Sequence, residues 1–127
     1  MFSRRRQMVL VGEERMVDFV SMDHFKKLDL RVGEVVSAAP VKGSDKLMRL
    51  EVDLGSERRV ILSGIRPDYS AEEVVGMQVI VLCNLEPRKM MGAVSQGMVL
   101  DAGYLDGVEK PPFLTVSRRV PNGVRVA

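Results

Sequence analysis

The sequence has a single cysteine, a single histidine, no tryptophan and only two tyrosines. One cysteine, Cys83, excludes an internal disulfide and fits a reducing compartment. It adjoins the apolar run Val79-Ile80-Val81-Leu82, the setting of a packed core thiol rather than a reactive one. His24 has no cysteine or second histidine beside it, so it reads as a surface or packing residue rather than a metal ligand or a base. No nucleophile elbow and no phosphate-binding glycine loop occurs. Asp45, Glu51 and Asp53 lie close together, but carboxylates flanking a hairpin read as a solvated face rather than an acid–base pair. A catalytic set, a metal and a cofactor are therefore not expected, and the chain reads as non-enzymatic. No apolar run approaches the ~20 residues that cross a membrane. Arg4-Arg5-Arg6 is followed by too short a hydrophobic stretch, before Glu13 and Glu14, for a secretory signal. The expected location is the cytoplasm.

Charge of one sign is also scarce. Nineteen basic residues face seventeen acidic ones, for a formal net charge of +2, so any basic surface has to be a local patch. From Lys26 to Arg49 there are six basic residues against three acidic. Alone, that excess fits a solvated face.

With 127 residues, 46% of them hydrophobic, the chain suits one core-forming domain small enough to gain from an oligomer interface. Residues 1–22 read as a leader or arm: three arginines, the short apolar patch Met8–Val11, then Gly12 and a charged run. A solvated tail, an added strand and a basic arm are its possible roles. Residues 23–127 read as the domain proper. Asp23 caps one helical turn with Phe25 and Leu28 on one face. Residues 31–38 and 47–53 read as strands, apolar and polar alternating at 31–35 and again at 47–53, with Gly33 marking a bulge or tight bend. Gly55-Ser56 turns the chain into a third strand, 59–62. Ser70 and Glu73 form a capping-box pattern for a short helix ending at Gly76. Residues 77–83 follow as a buried strand and 95–102 as a fifth. Three strands, a helix and two strands is the order of the five-stranded oligonucleotide-binding (OB) β-barrel. Phe113–Val116 and Val124–Val126 add C-terminal strands, with Pro121-Asn122-Gly123 as a turn between them. The expected class is thus all-β: an OB-fold barrel with a short helix between strands three and four, plus C-terminal additions.

The most informative stretch is Asn-Leu-Glu-Pro-Arg-Lys-Met-Met-Gly-Ala-Val-Ser-Gln-Gly-Met, residues 84–98. Pro87, Gly92 and Gly97 break the strand pattern, and between them sit Arg88, Lys89, Ser95 and Gln96. Those side chains, with Asn84, are of the types that contact phosphate, sugar and unpaired base edges. Met90 and Met91 fall within the loop, where at least one side chain is exposed enough to lie against a base. Aromatic platforms for stacking single strands are few, which favours recognition of a folded RNA's shape and backbone.

This stretch, with DLRVG at 29–33 and DKLMRLEVDLG at 45–55, resembles the tRNA-binding domains, free-standing or appended, of the methionyl-tRNA synthetase family. The resemblance covers about residues 23–127. A related group of small secretion-chaperone-like proteins shares DLRVG-like and PNG-like pieces; the SQGM run and DKL favour the tRNA-binding branch. The resemblance implies a tRNA ligand gripped at its outer corner with little sequence choice, a methionyl-tRNA synthetase catalytic chain as a partner, and pairing into a homodimer. Val108, Phe113, Leu114 and Val116 are the candidate dimer residues; capping the barrel's open end is their other possible role. A chaperone or export factor binding extended polypeptide is the alternative. By position, the resemblance carries Asn84, Lys89, Met91, Ser95 and Met98 as signature residues, with Asp45 and Lys46 in the earlier motif; Met98 and Leu85 read as structural. It departs at Glu86, where lysine is usual. The expected contact set is Lys46, Arg49, Asn84, Arg88, Lys89, Met91, Ser95 and Gln96. For Ser95 the residues alone leave two roles open, a bond to its own loop backbone or donation to bound RNA; the resemblance favours the second.

Overall fold

The computed structural model describes residues 8–11 and 15–127, with side chains from Asp18 onward. Arg4, Arg5 and Arg6 of the leader lie outside the described residues. Strand β1 (Met8–Val11) pairs antiparallel with β2 (Arg15–Asp18) as a separate hairpin. A one-turn helix α1 (Met22–Phe25) follows, capped by Ser21, whose hydroxyl accepts from His24 N–H at 3.1 Å.

The barrel proper is a five-stranded antiparallel sheet. Its strands are β3 (Leu30–Pro40), β4 (Met48–Asp53), β5 (Arg58–Ser63), β6 (Gln78–Leu82) and, after an intervening hairpin, β9 (Met98–Val99). Their lateral order is β5-β4-β3-β6-β9. The long β3 serves two neighbours: Leu30–Glu34 pairs with β6 and Glu34–Pro40 with β4. The sequence places a bulge or bend at Gly33. The register shift instead falls between Val35 and Ser37. Gly33 answers a different need, close approach: a Cβ there would lie 2.5 Å from a methyl of Val52.

Alternation on β4 buries Met48, Leu50 and Val52 while Arg49 faces out, as half-buried strands do. Those three join Val35, Ile61, Val79, Val81 and Val99 in one core. Helix α2 (Ala71–Val74) closes one end. Its capping box is complete: Ser70 Oγ accepts from Glu73 N–H and Glu73 Oε1 accepts from Ser70 N–H.

The C-terminal additions are shorter than their patterns suggest. Phe113 makes a single bridge to Asp101, and Arg125 one to Arg31. Three backbone bonds nonetheless lay residues 123–126 along β3 (Gly123 N–H to Val32 O, Val32 N–H to Val124 O, Val126 N–H to Leu30 O). Buried Gln78 fixes the preceding turn by donating to Val120 O and the Asn122 side chain.

The expected fifth strand, 95–102, is divided. Residues 84–98 contain a hairpin that periodicity does not reveal: β7 (Arg88–Met90) against β8 (Ala93–Ser95). Only Met98–Val99 continues the ladder, beside β6. The barrel closes where residues 95–96 meet β5.

Candidate nucleic-acid interface

Met91 and Gly92 turn the β7–β8 hairpin with φ of 51° and 81°. Two left-handed residues in succession make the two-residue turn whose twist matches that of paired strands. Gly92 adopts this freely; Met91 does so against its own Cβ and leaves its side chain 56% exposed at the tip. That side chain leans on the loop joining β3 to β4: its methyl carbon is 3.4 Å from where a Cβ on Gly43 would sit. The tips of the two loops that flank the ligand face in OB barrels therefore lie close together.

Strand alternation divides the loop's neighbouring cations. Arg88 and Met90 line a cleft of about 250 Å³ beside the hairpin, whereas Lys89 pairs in register with Val94 on the other face. Both cations are exposed. Lys46 sits at the end of the β3–β4 loop, whose shape is fixed locally. Ser44 Oγ accepts from Lys46 N–H and Leu47 N–H, Arg66 N–H donates to Lys46 O, and the Arg66 guanidinium holds Ser44 O. Arg49 projects from the outer face of β4, in register with Ala39 and Leu62. Among the described residues, none of Lys46, Arg49, Arg88 and Lys89 forms an ion pair; the pairs present are Arg31–Asp29, Arg59–Glu57, Lys110–Glu73 and Arg119–Glu34.

The polar members of the expected set behave differently. Asn84 is exposed, but its amide is committed: Oδ1 accepts from Asp29 N–H at 2.8 Å and Nδ2 donates to Lys27 O at 2.6 Å. It ties the loop's start to the segment after α1. Gln96 Oε1 accepts from Val60 N–H at 3.0 Å, and Gln96 N–H donates to Val60 O at 2.9 Å. Ser95 departs from the expectation of RNA donation. It is 1% exposed; its hydroxyl accepts from Leu62 N–H at 2.9 Å and donates to Gly97 O at 3.0 Å. A hydroxyl spent on two buried backbone groups has no proton left for a ligand, so Ser95 is corrected to the backbone role. Ser95 and Gln96 together show how β5 is satisfied. Its outward N–H groups bond to side chains of the loop where a ladder would supply carbonyls.

Arg59 escaped the sequence reading. It occupies a core-face register position, opposite Val52 and two residues before buried Ile61. Its Nη1 donates to Cys83 O at 2.5 Å and Gln96 O at 3.4 Å; Nη2 meets Glu57 at 3.1 Å. A cation in phase with core residues was the available signal, because a charge there needs partners.

Nearby ionisable groups are scaffold rather than chemistry. Burial first, then the Asp29 carboxylate, pushes the Cys83 thiol up. The hydrogen bond that Arg31 donates to the Asp29 carboxylate raises Arg31. Among the described residues no cluster of three or more His, Cys, Asp or Glu could hold a metal, and no helix is long and apolar enough to cross a membrane.

The cleft lined by Arg88 continues under Tyr69, Tyr104 and Pro111. Tyr69 stacks at 5.0 Å on Phe113 and donates its hydroxyl to Pro111 O. Phe113 is therefore part of this domain's core, while Val108 and Leu114 stay exposed.

Comparison with known proteins places this geometry. The family model described as "Putative tRNA binding domain" matches residues 30–125. Methionine–tRNA ligase 1 of Bacillus anthracis is 43% identical over 114 residues, 90% of this chain. The methionine–tRNA ligase of Methanocaldococcus jannaschii is 44% identical over 115 residues, 91% of this chain. The chain spans 17% of the length of each. A crystal structure of a MetRS-related protein from Pyrococcus horikoshii superposes with a TM-score of 0.80 at 37% identity, covering 87% of this chain and all of that one. The chaperone CsaA of Bacillus anthracis superposes at 0.76 with 25% identity, covering 86% of this chain and 99% of that one. The chain belongs to the tRNA-binding domain family, an all-β OB-type barrel related to part of the methionine–tRNA ligases.

Proposed function

We propose that this chain binds tRNA, by shape and backbone and without catalysis, and so assists a methionyl-tRNA synthetase. The observation that carries the reading is the set of four exposed cations without ion pairs among the described residues: Lys46 at the end of the β3–β4 loop, Arg49 just beyond it on β4, and Arg88 and Lys89 on the hairpin whose tip approaches that loop. Cations already paired would have to break those pairs before meeting phosphate; these do not. Met91 lies against a base or ribose at the same tip, and Asn84, Ser95 and Gln96 shape the loop. Residues 23–127 form the binding unit and residues 1–22 an accessory arm; the location is cytoplasmic. Titration of total tRNA at several salt concentrations tests the reading. Affinity is expected to fall as salt rises, by roughly 0.7–0.9 in the log–log slope for each phosphate contact. Absence of binding at low salt overturns it.

The family relationship supports a synthetase partner and a homodimer. Leu105 at 94% exposure, Tyr104 at 66% and Val108 at 47% cluster after Gly103 and supply an apolar patch for self-association. Light scattering on Leu105→Asp, against the parent, tests the dimer. A dimer of unchanged stability moves the interface elsewhere.

A second reading is favoured by one observation. The cleft beside Arg88 has walls from Leu47, Leu62, Ile65, Met98 and Val99, and an exposed apolar groove is what a binder of extended polypeptide needs. The likeness to a CsaA chaperone agrees with it. Competition between tRNA and an unfolded polypeptide separates the two: tRNA binding that polypeptide leaves unchanged keeps the first reading.

A further inference from the structure

The loop that carries Arg88, Lys89 and Met91 enters at Cys83 and leaves at Gln96. One guanidinium spans those two points: Arg59 Nη1 donates to Cys83 O at 2.5 Å and to Gln96 O at 3.4 Å. Its second nitrogen meets Glu57 Oε2 at 3.1 Å, and Glu57 is itself fixed at the β4–β5 turn, where its carbonyl accepts from Leu54 N–H at 2.8 Å. We infer that the Glu57–Arg59 pair is a positioning device for the RNA-contact loop, with Arg59 clamping both ends and Glu57 aiming the clamp. The inference rests on the tRNA-binding reading above.

Three physical points support it. The guanidinium fork is planar and rigid, so the nitrogen that bridges the two carbonyls is held at a fixed angle to the nitrogen that meets Glu57, which an ammonium on a flexible stem cannot reproduce. The side chain is only 25% exposed, and its bonds run to backbone carbonyls and a carboxylate, so it is not presented to solvent as a phosphate contact. Finally, the strand bearing it does the rest of the work at the loop's exit, since Val60 and Leu62 bond Gln96 and Ser95. Holding a loop in its bound form lowers the ordering cost of binding. Arg59 therefore acts on affinity through the geometry of Arg88 and Lys89.

The sign of one substitution sets this apart from bulk electrostatics. Glu57→Ala removes a carboxylate from a chain of net charge +2. If only charge mattered, binding to a polyanion would tighten. If Glu57 aims Arg59, binding weakens, by roughly two- to fivefold, the size an exposed ion pair supports. Arg59→Met is expected to weaken total-tRNA binding about tenfold, in line with loss of charged hydrogen bonds, while the salt slope stays unchanged. Arg59→Lys recovers only part of that. Amide exchange in the free protein quickens over residues 84–96 in both Arg59 variants, with the remaining strands unaffected.

Tighter or unchanged binding by Glu57→Ala overturns the inference. So does a salt slope lowered by one contact in Arg59→Met, which makes Arg59 a phosphate ligand, or loop exchange unchanged from the parent. If Arg59→Met fails to fold, Glu57→Ala and Arg59→Lys decide. Failure of the parent to bind tRNA removes the functional reading alone; the exchange measurement, made without RNA, still decides the clamp.

Discussion

Ser95→Ala separates a scaffold role from a ligand role most sharply. The substitution deletes one oxygen and two bonds, to Leu62 N–H and Gly97 O. The surroundings are dry: Ser95 is 1% exposed and Leu62 3%. Water cannot replace the lost acceptor, so the Leu62 N–H is left unpaired, at a cost of roughly 1–3 kcal/mol. At this chain length each kcal/mol lowers Tm by roughly 3–6 °C, so a fall of about 3–18 °C is expected. Titrations at 25 °C, where the variant remains folded, are expected to show tRNA affinity within about threefold of the parent, since the hydroxyl is not offered to ligand. Thermal melts and titrations on one preparation suffice. A variant that melts with the parent but loses tenfold or more in affinity would refute the reasoning and return Ser95 to the contact set.

Three further outcomes follow from the same geometry. Lys89→Ala should lower the log–log salt slope by about one contact, roughly 0.7–0.9, with Tm unchanged; an unchanged slope and affinity remove Lys89 from the interface. Met91→Gly relieves a left-handed φ of 51° at the expense of a more flexible unfolded chain, so stability should stay within about 1 kcal/mol of the parent's, while tRNA binding weakens; equal binding would show that the side chain touches no RNA. The Glu73 carboxyl is held below its usual range, first by the Ser70 backbone N–H and then by Lys110. A depressed folded value means stability that is complete above the ordinary glutamate value, about 4.3, and lost as pH falls through the folded one. The melting difference between parent and Glu73→Gln should therefore shrink below about pH 4, and a constant difference would show that the pair is not formed.

The barrel was legible because its strands are half-buried and alternate. Met48, Leu50 and Val52 against Arg49, Glu51 and Asp53 read correctly from the chain and appear so on β4. Ser70 with Glu73 announced α2 by the same kind of local rule, and both reciprocal bonds form. The β7–β8 hairpin was not legible, since its turn uses Met91 where the usual signal is asparagine or aspartate before glycine. The bulge beyond Val35 was missed for a related reason: Gly33 drew attention as the flexible residue, while the register is shifted by an ordinary valine and Gly33 answers to Val52 across the strand.

Residue type indicated the direction of the cations but not that of the polar residues. Lys46, Arg49, Arg88 and Lys89 are long, charged and exposed, so chemistry alone predicts their direction. Asn84, Ser95 and Gln96 have the same hydrogen-bonding groups whether they face a ligand or a backbone. What decides is where β5 ends up, and that is a tertiary fact. Once β5 lies beside the loop with Val60 and Leu62 N–H unpaired by any strand, buried donors must find acceptors, and the nearest are the Gln96 carbonyl oxygen of its side chain and the Ser95 hydroxyl. The short polar run that looks like a ligand signature is thus also the seam of the barrel. Closure of the fold and placement of Arg88 and Lys89 are one event, because the groups that close the barrel share one loop with these two exposed cations.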